Sequence, residues 1–217
     1  MTEPVSPARE DVAAWRLVTT LAVAGAIAGL AIVLVYQWAE PRIAAHRAEV
    51  LREAIREVLH EPARFDTLYV REGGLAGEPP AGAKAEEAER VYVGYDEVGN
   101  RVGFAIPAAE PGFQDLIHLL FGYRPAGDEV IGMRVLEHKE TPGLGDKIVK
   151  DSAFVADFEG VETPLVAVKP GAGEGDPREV DLITGATISS RTVVEAINER
   201  LEEIGPLLEA YAEEGGP

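Results

Sequence analysis

The sequence predicts an α+β domain carried behind a single N-terminal membrane helix. Three observations predict it. The run Leu17–Tyr36 has no charged residue. Strand patterns after Arg90 come in groups rather than in strict βαβ alternation, which favours segregated over interleaved elements. A long amphipathic helix pattern closes the chain.

The span comes first. At roughly 1.5 Å per residue, Leu17–Tyr36 covers about 30 Å, the hydrocarbon thickness of a bilayer. The 2 tryptophans of the chain, Trp15 and Trp38, bracket it, with Tyr36 beside the second, as in the aromatic belts of membrane spans. The apolar core exceeds that of a signal peptide and no clean small-x-small site follows it, so it reads as an uncleaved anchor. Gly25 and Gly29 would let a second helix approach closely, or are simply tolerated there.

Pro41–His60 carries Ile43, Val50, Leu51, Ile55, Val58 and Leu59 at helical spacings, an amphipathic connecting helix with an expected break near Pro41. Gly73–Glu89 is rich in Gly, Pro, Ala and Glu and reads as an exposed loop. Val91–Tyr95 and Val102–Ile106, around a turn at 97–100, read as a hairpin. Glu129–Glu137 reads as a strand, Leu165–Lys169 and Glu179–Ile183 as a strand pair, and about Ile188–Leu208 as the final helix, with Val194, Ile197, Leu201 and Ile204 on one face. Thr192–Glu195 offers a capping-box pattern. His118, in Leu116–Phe121, reads as a half-buried helix histidine; His138 sits just before a turn. The divisions are therefore 1–16 before the membrane, 17–36 across it, 37–60 connecting, 61–212 a domain with the loop 73–89, and 213–217 a frayed tail.

Composition narrows the chemistry. Of 217 residues 46% are hydrophobic and 27% charged, ordinary values for a folded chain. With 20 Lys+Arg against 38 Asp+Glu the net charge is -18, which argues against nucleic acid as a partner and against a polybasic lipid-binding module. With no cysteine, disulfides, iron–sulfur ligation, thiolate zinc sites and cysteine nucleophiles are excluded. The 4 histidines fall at no metal-ligand spacing, so no metal site is expected. Redox chemistry here would need a bound organic cofactor.

Two segments carry candidate chemistry. Asp181-Leu-Ile-Thr-Gly-Ala-Thr187 lies where a strand ends and a helix begins. Small residues there let a ligand approach the backbone, and a helix start offers unpaired N–H groups and a positive dipole end to a phosphate. A threonine hydroxyl at such a junction either caps the helix or serves a phosphate, and the residues alone leave both open. Lys139-Glu-Thr-Pro-Gly-Leu-Gly-Asp-Lys147 follows a strand and is too rich in Pro and Gly to continue it. It is either an ordinary tight turn or one whose backbone amides meet the polar edge of a flat ring.

Together, His138–Lys147 and Asp181–Thr187 resemble the two hallmarks of the covalent FMN-binding domain, in particular the G subunit of Rnf/Rsx electron-transport complexes. The C subunit of sodium-pumping NADH:quinone reductase shares that domain. The resemblance extends to the N-terminal span, the helix after it and the turn Pro111-Gly-Phe-Gln-Asp115, and is weak in the 73–89 loop. It implies that Thr187 receives FMN through a phosphoester, transferred from FAD by a magnesium-dependent flavin transferase. Asp181, Thr184, Gly185 and Ala186 match the recognition pattern around it, with Thr184 standing where many relatives have Ser. Glu140, Thr141, Gly143, Leu144 and Gly145 match the turn that lies against the flavin. No acid–base catalytic dyad is implied.

The function so implied is electron transfer by a membrane-anchored subunit of an ion-translocating ferredoxin:NAD oxidoreductase complex, with the other membrane subunits as partners. A separate extracytoplasmic flavin carrier, the quinone-reductase protein, and an unflavinylated scaffold or ligand receptor are the other readings. On sidedness two arguments conflict. Arg42, Arg47, Arg52 and Arg56 after the span outnumber Arg9 and Arg16 before it, which favours a cytoplasmic domain. The resemblance implies a single-pass inner-membrane protein with residues 1–16 cytoplasmic and the flavin domain on the periplasmic side. We follow the resemblance, because the charge rule weakens for long translocated domains.

Overall fold

The computed structural model describes residues 14–85 and 87–213. The expected frayed tail lies, apart from Glu213, outside these residues, as does most of the 1–16 segment. The chain divides into two compact units, Met1–Glu49 and Val50–Pro217.

The first unit holds most of helix α1 (Ala14–Val58). It is the one helix among the described residues with the length and apolar composition to cross a membrane, with a mean hydropathy of 2.4 over its most apolar window. Its apolar side chains from Leu17 to Tyr36 are exposed, as a lipid-facing surface would be. The expected break at Pro41 is absent, and the helix runs through it. Proline removes one main-chain hydrogen bond. Next to it, the Arg42 guanidinium donates to the Trp38 carbonyl at 3.1 Å and stacks 3.9 Å from the Trp38 ring centroid.

The second unit is built on an antiparallel sheet: β1 (Arg64–Arg71), β2 (Gly74–Ala76), β3 (Arg90–Tyr95), β4 (Arg101–Pro111), β5 (Leu116–Arg124), β6 (Glu129–Glu137) and, after the short helices α2 (Lys147–Lys150) and α3 (Ser152–Ala156), β7 (Val161–Glu162). The spatial order is β2-β1-β3-β4-β5-β6-β7. The hairpin over 91–106 and the strand over 129–137 form as the sequence predicts. A separate parallel pair joins β8 (Val166–Val168) to β9 (Glu179–Asp181), and α4 (Thr187–Glu213) completes the domain.

Alternation along the strands sends one set of side chains to each face. Phe104, Ile106, Ile117, Leu119, Phe121 and Val130 meet Val193, Val194, Ile197, Ile204 and Leu208 of α4 in the main core. Ala105, Leu120 and Ile131 on the other face pack against Ala54, Ile55, Val58 and Leu59, at and just beyond the end of α1. Two glycines make room for that end. A Cβ on Gly122 would stand 2.2 Å from the Val58 carbonyl oxygen, and one on Gly132 3.2 Å from the Val58 Cα. Arg134 adds ion pairs to Glu53, at 3.4 Å, and to Glu57.

Three local expectations change. Leu116–Phe121 is strand β5, and His118 is an exposed strand residue rather than a half-buried helical one. Both sheet faces are covered, so β5 is apolar almost throughout, and such a run has no decisive period. Thr192 is no cap: α4 begins at Thr187, and the Thr192 hydroxyl donates to the Pro111 carbonyl at 3.2 Å. The stretch 73–89 is largely loop, but its first residues form β2, which pairs with β1.

Candidate functional site

The turn after β6 and the junction between β9 and α4 meet across one cleft of about 300 Å³. Glu140, Thr141, Leu144 and Gly145 line one wall; Gly185, Ala186 and Thr187 line the other. Seven of the ten residues that the sequence motifs mark are thus brought together. Asp181 and Thr184 instead line a second cleft, of about 710 Å³, with Lys147, Lys150 and Asp157. Gly143 lines neither and takes a left-handed φ of 80° at the tip of the turn.

The turn is held from inside. The Gly143 amide donates to Asp146 Oδ1 at 2.7 Å, and the Leu144 and Asp146 amides both donate to the Thr141 carbonyl, at 3.1 and 3.4 Å. These three amides are therefore committed within the turn, and what it offers the cleft is the exposed Leu144 side chain and the bare backbone of Gly145. Lys150 Nζ donates to the buried Asp146 at 2.5 Å; this bond, then the Gly143 amide, holds the Asp146 carboxyl below the usual carboxylate range. His138 is satisfied within this segment, its Nδ1 accepting from the Glu140 amide at 3.2 Å.

The opposite wall is set by α4. Ser190 Oγ accepts from the Ile183 amide at 3.2 Å and donates to the Ala186 carbonyl at 2.9 Å, tying the β9–α4 loop to the first turn of the helix. Gly185 has φ 83°, a conformation that a side chain would strain. Lys147 Nζ donates to the Thr184 carbonyl at 3.2 Å, linking α2 to this loop. Thr187 opens α4, and its exposed hydroxyl has no hydrogen-bond partner among the described residues. As the first residue of a 27-residue helix it stands where the N–H groups lack intrahelical acceptors and the dipole is positive.

Phe113, Ile188 and Ser189 complete the lining and lie outside the residues that the sequence motifs mark. Signals for them are present: Phe113 belongs to the 111–115 turn, and Ile188 and Ser189 directly follow the Thr187 motif. Phe113 and Ile188 are 64% and 55% exposed, so with Leu144 they form an apolar rim.

A flat, largely apolar ring with a phosphate-bearing tail fits these residues. The apolar rim suits the ring, the α4 start suits the phosphate, and glycine at 145 lets this wall pack closely on Glu140, since a Cβ there would stand 2.5 Å from Glu140 Oε2. An FMN-binding domain family matches residues 112–202, which include both walls. The G subunit of the ion-translocating oxidoreductase complex of Methanosarcina acetivorans is 30% identical over 189 residues, covering 87% of this chain and 93% of that one. The G subunit of the proton-translocating ferredoxin:NAD(+) oxidoreductase complex of Clostridium ljungdahlii is 25% identical over 179 residues, covering 82% and 84%. Among solved structures, the C subunit of the Na(+)-translocating NADH-quinone reductase of Parabacteroides distasonis has the same fold, with a TM-score of 0.60 at 21% identity over 77% of this chain and 96% of that one. The family match over both walls of the cleft, on this fold, marks an FMN-binding domain. The chain belongs to the family of G subunits of ion-translocating oxidoreductase complexes.

Proposed function

We propose that this chain is the FMN-carrying electron-transfer subunit of an Rnf-type ion-translocating ferredoxin:NAD oxidoreductase complex, a single-pass membrane protein with FMN esterified to Thr187. The observation that carries the attachment is the unpartnered Thr187 hydroxyl at the start of α4, facing the Glu140–Gly145 turn across the cleft. The α4 N–H groups and dipole stabilise the negative phosphodiester. Leu144, Phe113 and Ile188, the exposed apolar side chains of the cleft, would offer the ring its apolar contacts. Bound FMN supplies the redox chemistry. The ester retains the cofactor, so the protein's task is to hold and orient it. Asp181 and Thr184, on the far side of the loop, belong to the surface that the flavin transferase reads.

Intact-mass analysis after co-production with a flavin transferase should show one added FMN per chain. Thr187→Ala should remove all flavin fluorescence from the denatured band while the chain still folds. Flavin that migrates with the denatured variant would sink the assignment.

We further place residues 1–16 in the cytoplasm and the domain on the periplasmic side of the inner membrane, where the transferase reaches it. An alkaline phosphatase fused after Pro217 should be active. A dead phosphatase paired with a bright cytoplasmic-type reporter at the same position would reverse the topology. Co-purification with the other membrane subunits distinguishes this complex from the quinone reductase, one protein of which shares the fold.

A further inference from the structure

Glu140 is 5% exposed, and both of its carboxylate oxygens are used by the protein. Oε1 accepts from the Gln114 amide at 3.1 Å, and Oε2 accepts from the Ser189 hydroxyl at 2.5 Å. Ser189 is itself 2% exposed, in the first turn of α4, two residues beyond Thr187. Gln114 lies in the loop between β4 and β5, and its side-chain amide donates to Thr141 Oγ1 at 2.7 Å. One buried carboxylate therefore joins the three segments that surround the cleft: the 111–115 loop, the turn after β6 and the start of α4. The packing leaves it no freedom. A Cβ on Gly112 would stand 2.5 Å from Oε1, and one on Gly145 would stand 2.5 Å from Oε2 and 2.9 Å from Ser189 Oγ.

We propose that Glu140 and Ser189 form a strut that positions Thr187 against the Glu140–Gly145 turn, and that Glu140 acts on the flavin site through Ser189 and Gln114 rather than as a ring contact. The inference rests on the flavin reading for its functional consequence, while the strut itself is a property of the flavin-free chain. A buried carboxylate accepting two donors is costly to disturb from either side. Removing the hydroxyl strands a desolvated oxygen, and removing the charge weakens both bonds. The carboxylate also sits beside the positive end of α4, which favours it there. Both changes release the same constraint, so their effects on the site should overlap rather than multiply.

The test uses the full chain in detergent, made without flavin transferase and then incubated with the transferase, FAD and magnesium. Ser189→Ala and Glu140→Gln should each slow covalent flavin attachment by about tenfold or more, the scale that loss of an outer-shell hydrogen bond has at metal sites. The double variant should be no slower than the worse single one. In chains driven to full attachment, Glu140→Gln should shift the flavin midpoint potential upward, because a negative charge beside the cleft is gone. In the flavin-free chain the melting shifts of the two variants should be less than additive. That readout stands even if the wild-type chain takes no flavin, a result that would overturn the flavin reading alone. Multiplicative rates with additive melting shifts would overturn the strut. So would a wild-type attachment rate in Ser189→Ala, the milder change, which serves if Glu140→Gln fails to fold.

Discussion

Gly143, Gly145 and Gly185 stand within one small region for different physical reasons. Gly143 and Gly185 have φ of 80° and 83°, with nothing nearer than 3.8 Å to a Cβ at either place. Their requirement is conformational. Gly145 has no such φ, and its requirement is space beside Glu140 and Ser189. Gly185→Ala should therefore destabilise the chain by about 1–2 kcal/mol, the cost of a left-handed residue with a Cβ, as urea unfolding in detergent would measure. Gly145→Ala should instead disturb the cleft. It should lower flavin attachment at Thr187 by more than Gly143→Ala does, as the fluorescence of denatured bands would compare. A Gly143→Ala chain that loses as much flavin as Gly145→Ala would contradict this division.

Between elements, the end of α1 rests on the sheet only because β5 and β6 present glycine under it. Gly122 is the tighter contact, since its Cβ would enter the Val58 carbonyl at 2.2 Å and the Ile131 Cγ1 at 2.8 Å. Gly122→Ala must push the helix end from the sheet. A cost of about 1–3 kcal/mol is expected from overpacking of this kind, read as a lower urea midpoint. Arg134→Ala, which removes only partly exposed ion pairs to Glu53 and Glu57, should cost about 1 kcal/mol or less.

Over the whole molecule the net charge of -18 sets the electrostatic background, and two aspartates near the site respond to pH in opposite directions. Burial, and then the charges of Asp181 and Asp151, raises the Asp157 carboxyl, partly offset by the bond it accepts from the Asp181 amide. A raised carboxyl favours folding fully below its unfolded value, and that contribution is lost as pH rises through the folded value. At pH 7, above the unfolded value, the burial of Asp157 is thus a cost. Asp157→Asn, which keeps an acceptor for the Asp181 amide, should raise the melting temperature at pH 7 and bring no gain at pH 3. Asp146 is lowered by Lys150, so its contribution is present above the ordinary carboxylate value and is lost as pH falls below it. Asp146→Asn should therefore lower the melting temperature at pH 7, with the deficit fading in acid. Equal shifts at both pH values for either variant would exclude a charge origin.

Length, charge and period alone determined the apolar run, the hairpin over 91–106, the strand over 129–137 and the closing helix, because each is a local pattern long enough to outweigh its alternatives. The turn after β6 and the helix start after β9 are also legible from their glycines and threonines, but it is the resemblance of the two motifs together, not either one alone, that marks them as one site. The strand β1 is not legible, because only Leu68 of its eight residues is fully buried and its alternation is correspondingly weak. Leu116–Phe121 reads as helix because burial on both faces erases the two-residue period. Only the tertiary structure decided that Gln114 and Ser189, 26 and 49 positions from Glu140 in the chain, would share its carboxylate. A hydrogen bond between distant segments leaves no periodicity in either one. It exists because the sheet order and the packing of α4 carry a loop, a turn and a helix start to the same buried point.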